Sequence, residues 1–309
     1  MALDPRARRF LGLIQAASPG RNDDELATLR RATDALTDFA APAPNVDRKD
    51  VSLQLPGRAL AARAYSPAGA ADEKLPGLIY FHGGGLISGG LDSHDFLCAE
   101  LADAGKCRVI AVDYRLGPEH RFPHAHNDAR DAVAAIASAA EDFALDPERL
   151  GVGGDSAGGN LAAYAARHAG VKLRLLFLLC PVLDLLAREP SRFELGRGYL
   201  IEEPTMERYW ALYKSEGLES DDARVAPLRA ETFDGYPPTR IHTGQYDPLK
   251  DEGTVFARAI AAAGGHVRLH EHAGQIHHFY GLTGVIPSAR NALAQVGADL
   301  AAGLGVAAG

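Results

Sequence analysis

Ser156 stands at the centre of Gly154-Asp155-Ser156-Ala157-Gly158, where small neighbours let the chain turn sharply and lift the hydroxyl clear. LGVGG (150–154) before it reads as a strand and NLAAYAARHA after it as a helix. Alone, the pentapeptide equally fits a glycine-rich turn with no chemistry. A serine hydroxyl is a weak nucleophile near neutral pH, so it needs a base, and the base needs an orienting carboxylate. Asp247, in GQYDPLKDEG, and His277, in GQIHHFYGL, supply those types downstream, each after a strand candidate. A second glycine-rich element, His82-Gly83-Gly84-Gly85, follows the strand GLIYFH. There the backbone can approach a reacting carbonyl closely, and the N–H groups of Gly83, Gly84 and Ala157 are the candidates to surround a tetrahedral oxyanion. One such donor contributes about a hundredfold or more in rate. His82 itself is read as bracing the loop. The implied chemistry is nucleophilic acyl transfer: attack by Ser156, proton transfer through His277, orientation by Asp247, and an acyl-enzyme released by water. Activity is then expected to fall in acid, as the imidazole base becomes protonated.

These side chains must be delivered to one place by the elements that carry them. Strand candidates are GLIYFH (77–82), RVIAVD (108–113), LGVGG (150–154), LRLLFLLC (173–180), TRIHTG (239–244) and HVRLHEH (266–272), with Ala- and Leu-rich helix candidates between most of them. Apolar strands alternating with helices imply a mainly parallel sheet covered on both faces, since parallel strands need crossovers. VSLQLP and LAARAYS, separated by Gly57 and Arg58, read as a hairpin and bring the sheet to about eight strands. The first 40 residues read as two helices, the second opened by Asn22 with Glu25 three positions on. Residues 185–226 interrupt the alternation and carry Met206, Tyr209, Trp210, Leu212 and Tyr213. The expectation is one domain, 1–309, with a helical cap formed by about 1–45 and 185–226.

Bulk properties narrow the function. With 309 residues and 47% apolar content the chain can bury one large core. Its formal charge of −8 repels nucleic acid, and the densest basic run, Arg6 to Arg9, sits at helical spacing beside apolar residues. Cys98, Cys107 and Cys180 are odd in number and show no C-x-x-C spacing, which makes reduced thiols in a cytoplasmic protein the default. Phe10 to Ala17 after Arg6, Arg8 and Arg9 mimics a signal region but contains Gly12 and Gln15 and lacks a small-x-small cleavage site. No stretch approaches the roughly 18 apolar residues of a membrane span. The expected partners are an ester substrate and water, with no nucleic acid, membrane, cofactor or metal; HVRLHEH, as an edge strand, offers a route to a homodimer.

The motifs in their order resemble the bacterial hormone-sensitive-lipase family of esterases, within the α/β-hydrolase superfamily. The likeness runs from HGGG through VDYRLGPEHRFPHAHNDA (112–129), GDSAGG, LCPVLD (179–184) and DPLKDEG to the histidine loop, covering most of 77–282. It implies an α/β-hydrolase fold and a carboxylesterase with Ser156 as nucleophile, His277 as base and acid, Asp247 as orienter, and Gly83, Gly84 and Ala157 as oxyanion hole. It also implies a helical cap that shapes an acyl pocket, with small to medium acyl esters preferred over long triglycerides. Three positions depart from the pattern. His278 stands where glycine usually follows the catalytic histidine, which makes it the rival base; Leu86 replaces an aromatic residue after HGGG; Ala226 precedes Pro227 where serine is common. Leu86, Tyr209 and Trp210 are the candidate pocket residues, although Trp210 and its neighbours serve equally as core.

Other chemistries fit less well. Gly151-x-Gly153 begins a dinucleotide fingerprint, but Ser156 occupies the third glycine and the acidic residue about twenty positions on is missing. His120, His124 and His126 cluster, and His270 and His272 alternate on a strand candidate, so either set could hold zinc; hydrogen-bonded or solvated histidines explain them as simply. A non-catalytic ligand receptor on the same fold is the remaining alternative, and such proteins typically lose a triad member.

Overall fold

The computed structural model describes residues 2–16, 25–185, 187–219 and 222–306. In chain order the elements are α1 (Pro5–Ala16), α2 (Glu25–Asp34), β1 (Val46–Leu55), β2 (Arg58–Pro67), β3 (Leu75–Phe81), α3 (Asp95–Gly105), β4 (Arg108–Val112) and α4 (His124–Ser138). They continue with β5 (Leu145–Asp155), α5 (Ala157–His168), β6 (Leu175–Leu179), α6 (Pro190–Glu194), α7 (Glu203–Tyr213), β7 (Thr239–Tyr246), α8 (Lys250–Ala262), β8 (Val267–Ile276) and α9 (Pro287–Leu304). The expected second helix is present as α2; its proposed cap, Asn22, lies outside the described residues.

All eight strands form one sheet in the order β1-β2-β4-β3-β5-β6-β7-β8. β1 and β2 are the antiparallel hairpin, turning at Pro56 and Gly57 so that Leu55 faces Arg58, one residue earlier than the Gly57-Arg58 turn expected. Gly57 has φ +74°, a conformation that costs glycine little. From β4 onward every neighbour is parallel. The central strands β4 and β6 are buried at every residue, which is why they read as unbroken apolar runs.

Alternate strand residues feed two cores. Ile79 and Phe81 pack with Ala129 and Val133 of α4, Leu161 of α5 and Phe256 of α8, whereas Leu78 and Tyr80 pack with Leu101 of α3, Phe10 of α1 and Val296 of α9. The period of two along β3 thus serves both faces of a covered sheet. The strands share a direction, so the loops leaving β3, β5, β7 and β8 emerge at the same edge. Those loops carry His82, Ser156, Asp247 and His277 respectively.

Candidate active site

Ser156 joins β5 to α5 with φ 50° and ψ −120°, a backbone that side-chain-bearing residues rarely adopt. The surroundings hold it there. Its N–H donates to the Leu179 carbonyl at 2.9 Å, and its carbonyl accepts from Val182 at 2.9 Å and Gly159 at 3.0 Å. The flanking glycines are steric requirements: a Cβ on Gly158 would lie 2.0 Å from the Phe81 carbonyl oxygen, and one on Gly154 would lie 2.3 Å from that of Gly158. β3, β5 and α5 therefore meet backbone to backbone, and the serine is pushed out at their junction.

Asp247 is fully buried at the end of β7, with one carboxylate oxygen accepting from the Leu249 N–H at 2.8 Å and the other 2.9 Å from Nδ1 of His277. The thiol of Cys180, at the end of β6, lies beside the same carboxylate, and burial pushes that thiol well above its ordinary range. Ligand atoms of Cys180, Asp247 and His277 lie within 4.8 Å of one another, the only such three-residue convergence among the described residues.

His277 and Ser156 are almost fully buried and line the same cavity of about 470 Å³, together with Gly84, Gly85, Asp155 and His94. The rival base lines the same cavity, but among the described residues no carboxylate is hydrogen-bonded to its ring, whereas His277 has Asp247. His278 takes a left-handed φ of 59°, and its ring covers Gly281 so closely that a Cβ there would meet Nε2 at 2.2 Å. Burial depresses its pKa to about 3.

The glycine loop differs from expectation at one donor. Gly83 N–H donates to Oδ1 of Asp155 at 3.1 Å and does not line the cavity, so it is removed from the candidate oxyanion donors. Gly84 and Gly85 do line it, and among the described residues neither N–H has a partner. Ala157 opens α5, where the first N–H groups lack intrahelical acceptors and the helix end favours negative charge. His82 braces the loop: its Nδ1 lies 2.7 Å from the Gly83 carbonyl, its ring stacks on Tyr114 with centroids 4.3 Å apart, and burial and the neighbouring His94 press its pKa down to about 3.

Asp155 is the residue that the motif reading passed over. Its buried carboxylate accepts from Tyr80 Oη at 2.9 Å, Tyr280 Oη at 3.0 Å and Gly83 N, with His94 Nε2 at 3.3 Å. Burial alone would raise its pKa, yet His94, through charge and hydrogen bond, with help from His278 and Tyr80, holds it below the usual carboxylate range. It ties the nucleophile turn to the glycine loop. Its position beside the serine in the pentapeptide was the available signal.

The outer wall comes from the two stretches expected to form a cap. Leu11 and Ile14 of α1, Leu29 and Thr33 of α2, Leu36, Phe39, Leu200, Ile201 and Tyr209 of α7 line the cavity. Of the three candidate pocket residues, Tyr209 lines this cavity and Leu86 and Trp210 do not. Leu86 is fully buried at φ 65° and Trp210 is 7% exposed, both within the core shared with α4 and α5. The left-handed Gly84-Gly85-Leu86 turn sends the leucine inward, and Trp210 lies one helical position round from Tyr209, about 100° away.

Two of the histidines weighed as metal ligands are held by other side chains. His126 is buried with Nδ1 2.7 Å from Tyr213 Oη and Nε2 3.0 Å from Asn160 Oδ1. His272 Nε2 lies 3.0 Å from Nδ1 of His242 on the neighbouring strand.

A family profile described as alpha/beta hydrolase fold matches residues 78–281. The chain is 35% identical to an ethyl acetate hydrolase of Pseudomonas putida over 96% of its own length and 98% of that relative. It is 34% identical to a carboxylesterase of Mycobacterium tuberculosis over 74% of each chain. Among solved structures, an ester hydrolase from the metagenome of Lake Arreo, complexed with a bipyridine phosphonate derivative, superposes with a TM-score of 0.92 at 36% identity, covering 99% of this chain and all of that one. A hyperthermophilic esterase from Pyrobaculum calidifontis gives 0.91 at 31% identity over 99% of this chain and 100% of its own. The chain belongs to the α/β-hydrolase-fold family, as a carboxylesterase of its bacterial hormone-sensitive-lipase branch.

Proposed function

We propose that the enzyme hydrolyses small to medium acyl esters through a triad of Ser156, His277 and Asp247. The observation that carries this is the strained strand-to-helix serine opening into one cavity with an imidazole whose far nitrogen is 2.9 Å from a buried carboxylate. With Nδ1–H donated to Asp247, Nε2 is the basic nitrogen and takes the Ser156 proton as the hydroxyl attacks. Asp247 steadies the imidazolium. The oxyanion is received by the N–H groups of Gly84, Gly85 and Ala157, a trio that replaces Gly83 by Gly85 on the strength of the Gly83–Asp155 bond. His277 then protonates the leaving alcohol, and water attacks the acyl-enzyme by the reverse roles.

The stretches 1–45 and 185–226 act as the cap of a single domain, and their apolar wall receives the acyl chain. A relative named for ethyl acetate supports the short end of the range. Each methylene buried against this wall is worth about 0.8 kcal/mol, so kcat/KM should rise up to roughly fourfold per methylene until the cavity is filled. Rates on p-nitrophenyl esters from acetate to laurate test this: a maximum at short or medium chains, abolished by Ser156→Ala, is expected, and a maximum at laurate contradicts it.

Two further readings concern the molecule in its setting. β8 is an edge strand with Arg268, Leu269, His270 and Glu271 exposed, and a homodimer forms there by strand addition; sedimentation of a single monomeric species excludes it. Cys98, Cys107 and Cys180 are free and buried, which supports a cytoplasmic enzyme. No helix among the described residues is long and apolar enough to cross a membrane.

A further inference from the structure

We propose that the water which releases the acyl group enters through a second cavity beside the active site, crossing a partition made by the His94 and His278 rings. The proposal rests on the triad reading above and adds the path of the second substrate.

The second cavity, of about 210 Å³, lies between the segment that follows α2 and the start of α3. It shares Leu36, Ser93, His94 and His278 with the acyl cavity, so these side chains stand between the two spaces. Thr37 and Asp92 on its lining are exposed, which puts its mouth at the protein surface. With Ser93 and Asp95 they supply the hydrogen-bonding groups that a file of waters needs. The cap wall of the acyl cavity is largely apolar, with Leu11, Ile14, Leu29, Leu200 and Ile201. Once Ser156 carries a chain lying along that wall, the chain occupies the space by which water would come from the front.

The two rings of the partition are held unequally. His94 is engaged at both nitrogens: Nδ1 lies 2.9 Å from Ser93 Oγ, and Nε2 lies 3.3 Å from the Gly83 nitrogen and 3.3 Å from a carboxylate oxygen of Asp155. His278 stands edge-on to it, with centroids 6.3 Å apart, and among the described residues neither of its ring nitrogens has a hydrogen-bond partner. The His278 ring is therefore the half of the partition that can turn without breaking a hydrogen bond. Its chain neighbour is His277, so water that passes it arrives beside the base. There Nε2 of His277 takes one proton from the water as its oxygen bonds to the acyl carbon. The bond from that carbon to Ser156 Oγ then breaks, and the proton returns from His277 to the serine.

The test is Ala41→Trp, which adds bulk to the lining of the second cavity at a residue outside the triad, the donor trio and the acyl cavity. Acylation and release are followed separately, by the burst of p-nitrophenolate on rapid mixing and by mass spectrometry of the quenched Ser156 peptide. Release of an octanoyl group should slow about tenfold, on the order of a reactant that has lost its positioning, and release of an acetyl group by less than about twofold, because the short chain leaves the front open. Acylation precedes the entry of water, so kcat and KM should fall together on the octanoyl ester while kcat/KM holds. Equal slowing on both chains, a fall in kcat/KM, or unchanged release overturns the inference and leaves the triad intact. If turnover persists in Ser156→Ala, the triad reading fails and the inference falls with it. Should Ala41→Trp fail to fold, Thr37→Trp narrows the same cavity from its exposed rim and is held to the same outcomes.

Discussion

Asp247→Asn isolates the carboxylate without changing its shape. Both oxygens of Asp247 now accept, one from Leu249 N at 2.8 Å and one from His277 Nδ1 at 2.9 Å. An asparagine has one acceptor and one donor for those two places. With its oxygen toward His277, its NH₂ abuts the Leu249 N–H, leaving two buried donors facing each other at a cost of about 1–3 kcal/mol. With its oxygen toward Leu249, the NH₂ faces Nδ1, the imidazole proton moves to Nε2, and the serine loses its base. The second orientation is favoured, so only about one molecule in five to one in a hundred keeps the working tautomer, at 1.36 kcal/mol per factor of ten. Those molecules also lack the negative charge beside the imidazolium, worth about 4 kcal/mol at 4 Å and an effective dielectric of 20. The combined effect is about 10⁴-fold or more in kcat, in line with the loss expected of a triad without its carboxylate. The assay is kcat on p-nitrophenyl butyrate at pH 7.5, with thermal unfolding to show that the fold is kept. A variant within tenfold of wild type refutes the orienting role.

Three other perturbations follow from the structure. Gly158→Ala places a methyl 2.0 Å from the Phe81 carbonyl and should cost soluble expression or more than about 3 kcal/mol in urea unfolding; a variant of unchanged midpoint contradicts the backbone junction described for the serine turn. Arg192→Met strands the fully buried Glu252, whose carboxylate contacts the guanidinium at 2.8 Å and two backbone N–H groups; a loss of about 3–5 kcal/mol is expected, partly restored by adding Glu252→Gln, and a loss below 1 kcal/mol contradicts it. Burial lowers His82 and His272 to about 3 and His126 to about 4, so between those values and the unfolded value of about 6.5 the unfolded chain binds more protons. Stability is therefore full above about pH 6.5 and falls on acidification, by about 1.4 kcal/mol per pH unit for each such histidine; equal urea midpoints at pH 7.5 and 5.5 would show that these rings are not held neutral.

What could be read from residues alone was what local chemistry and periodicity determine. The parallel sheet was legible because β4 and β6 are apolar without alternation, and the serine turn because Gly154 and Gly158 permit an approach that no Cβ allows. The choice of His277 over His278 came from the resemblance alone; in the fold both line the cavity, and what separates them is the buried Asp247, 2.9 Å from Nδ1 of His277. Gly83 is set apart from Gly84 and Gly85 by a tertiary contact as well. All three glycines are free of side chains, and what separates them is a tertiary partner, Asp155, that occupies the first N–H. Leu86 and Trp210 were placed in the pocket by their closeness in sequence to loop and cap residues, whereas turn handedness and helical phase direct both into the core.

The most direct measurement is mass spectrometry of the folded protein after a fluorophosphonate probe. One adduct per chain, on the peptide carrying Ser156, with labelling lost in Ser156→Ala and slowed by orders of magnitude in His277→Ala, is the predicted result. An unmodified Ser156 in folded protein, or labelling as fast in His277→Ala as in wild type, contradicts a serine activated by that histidine.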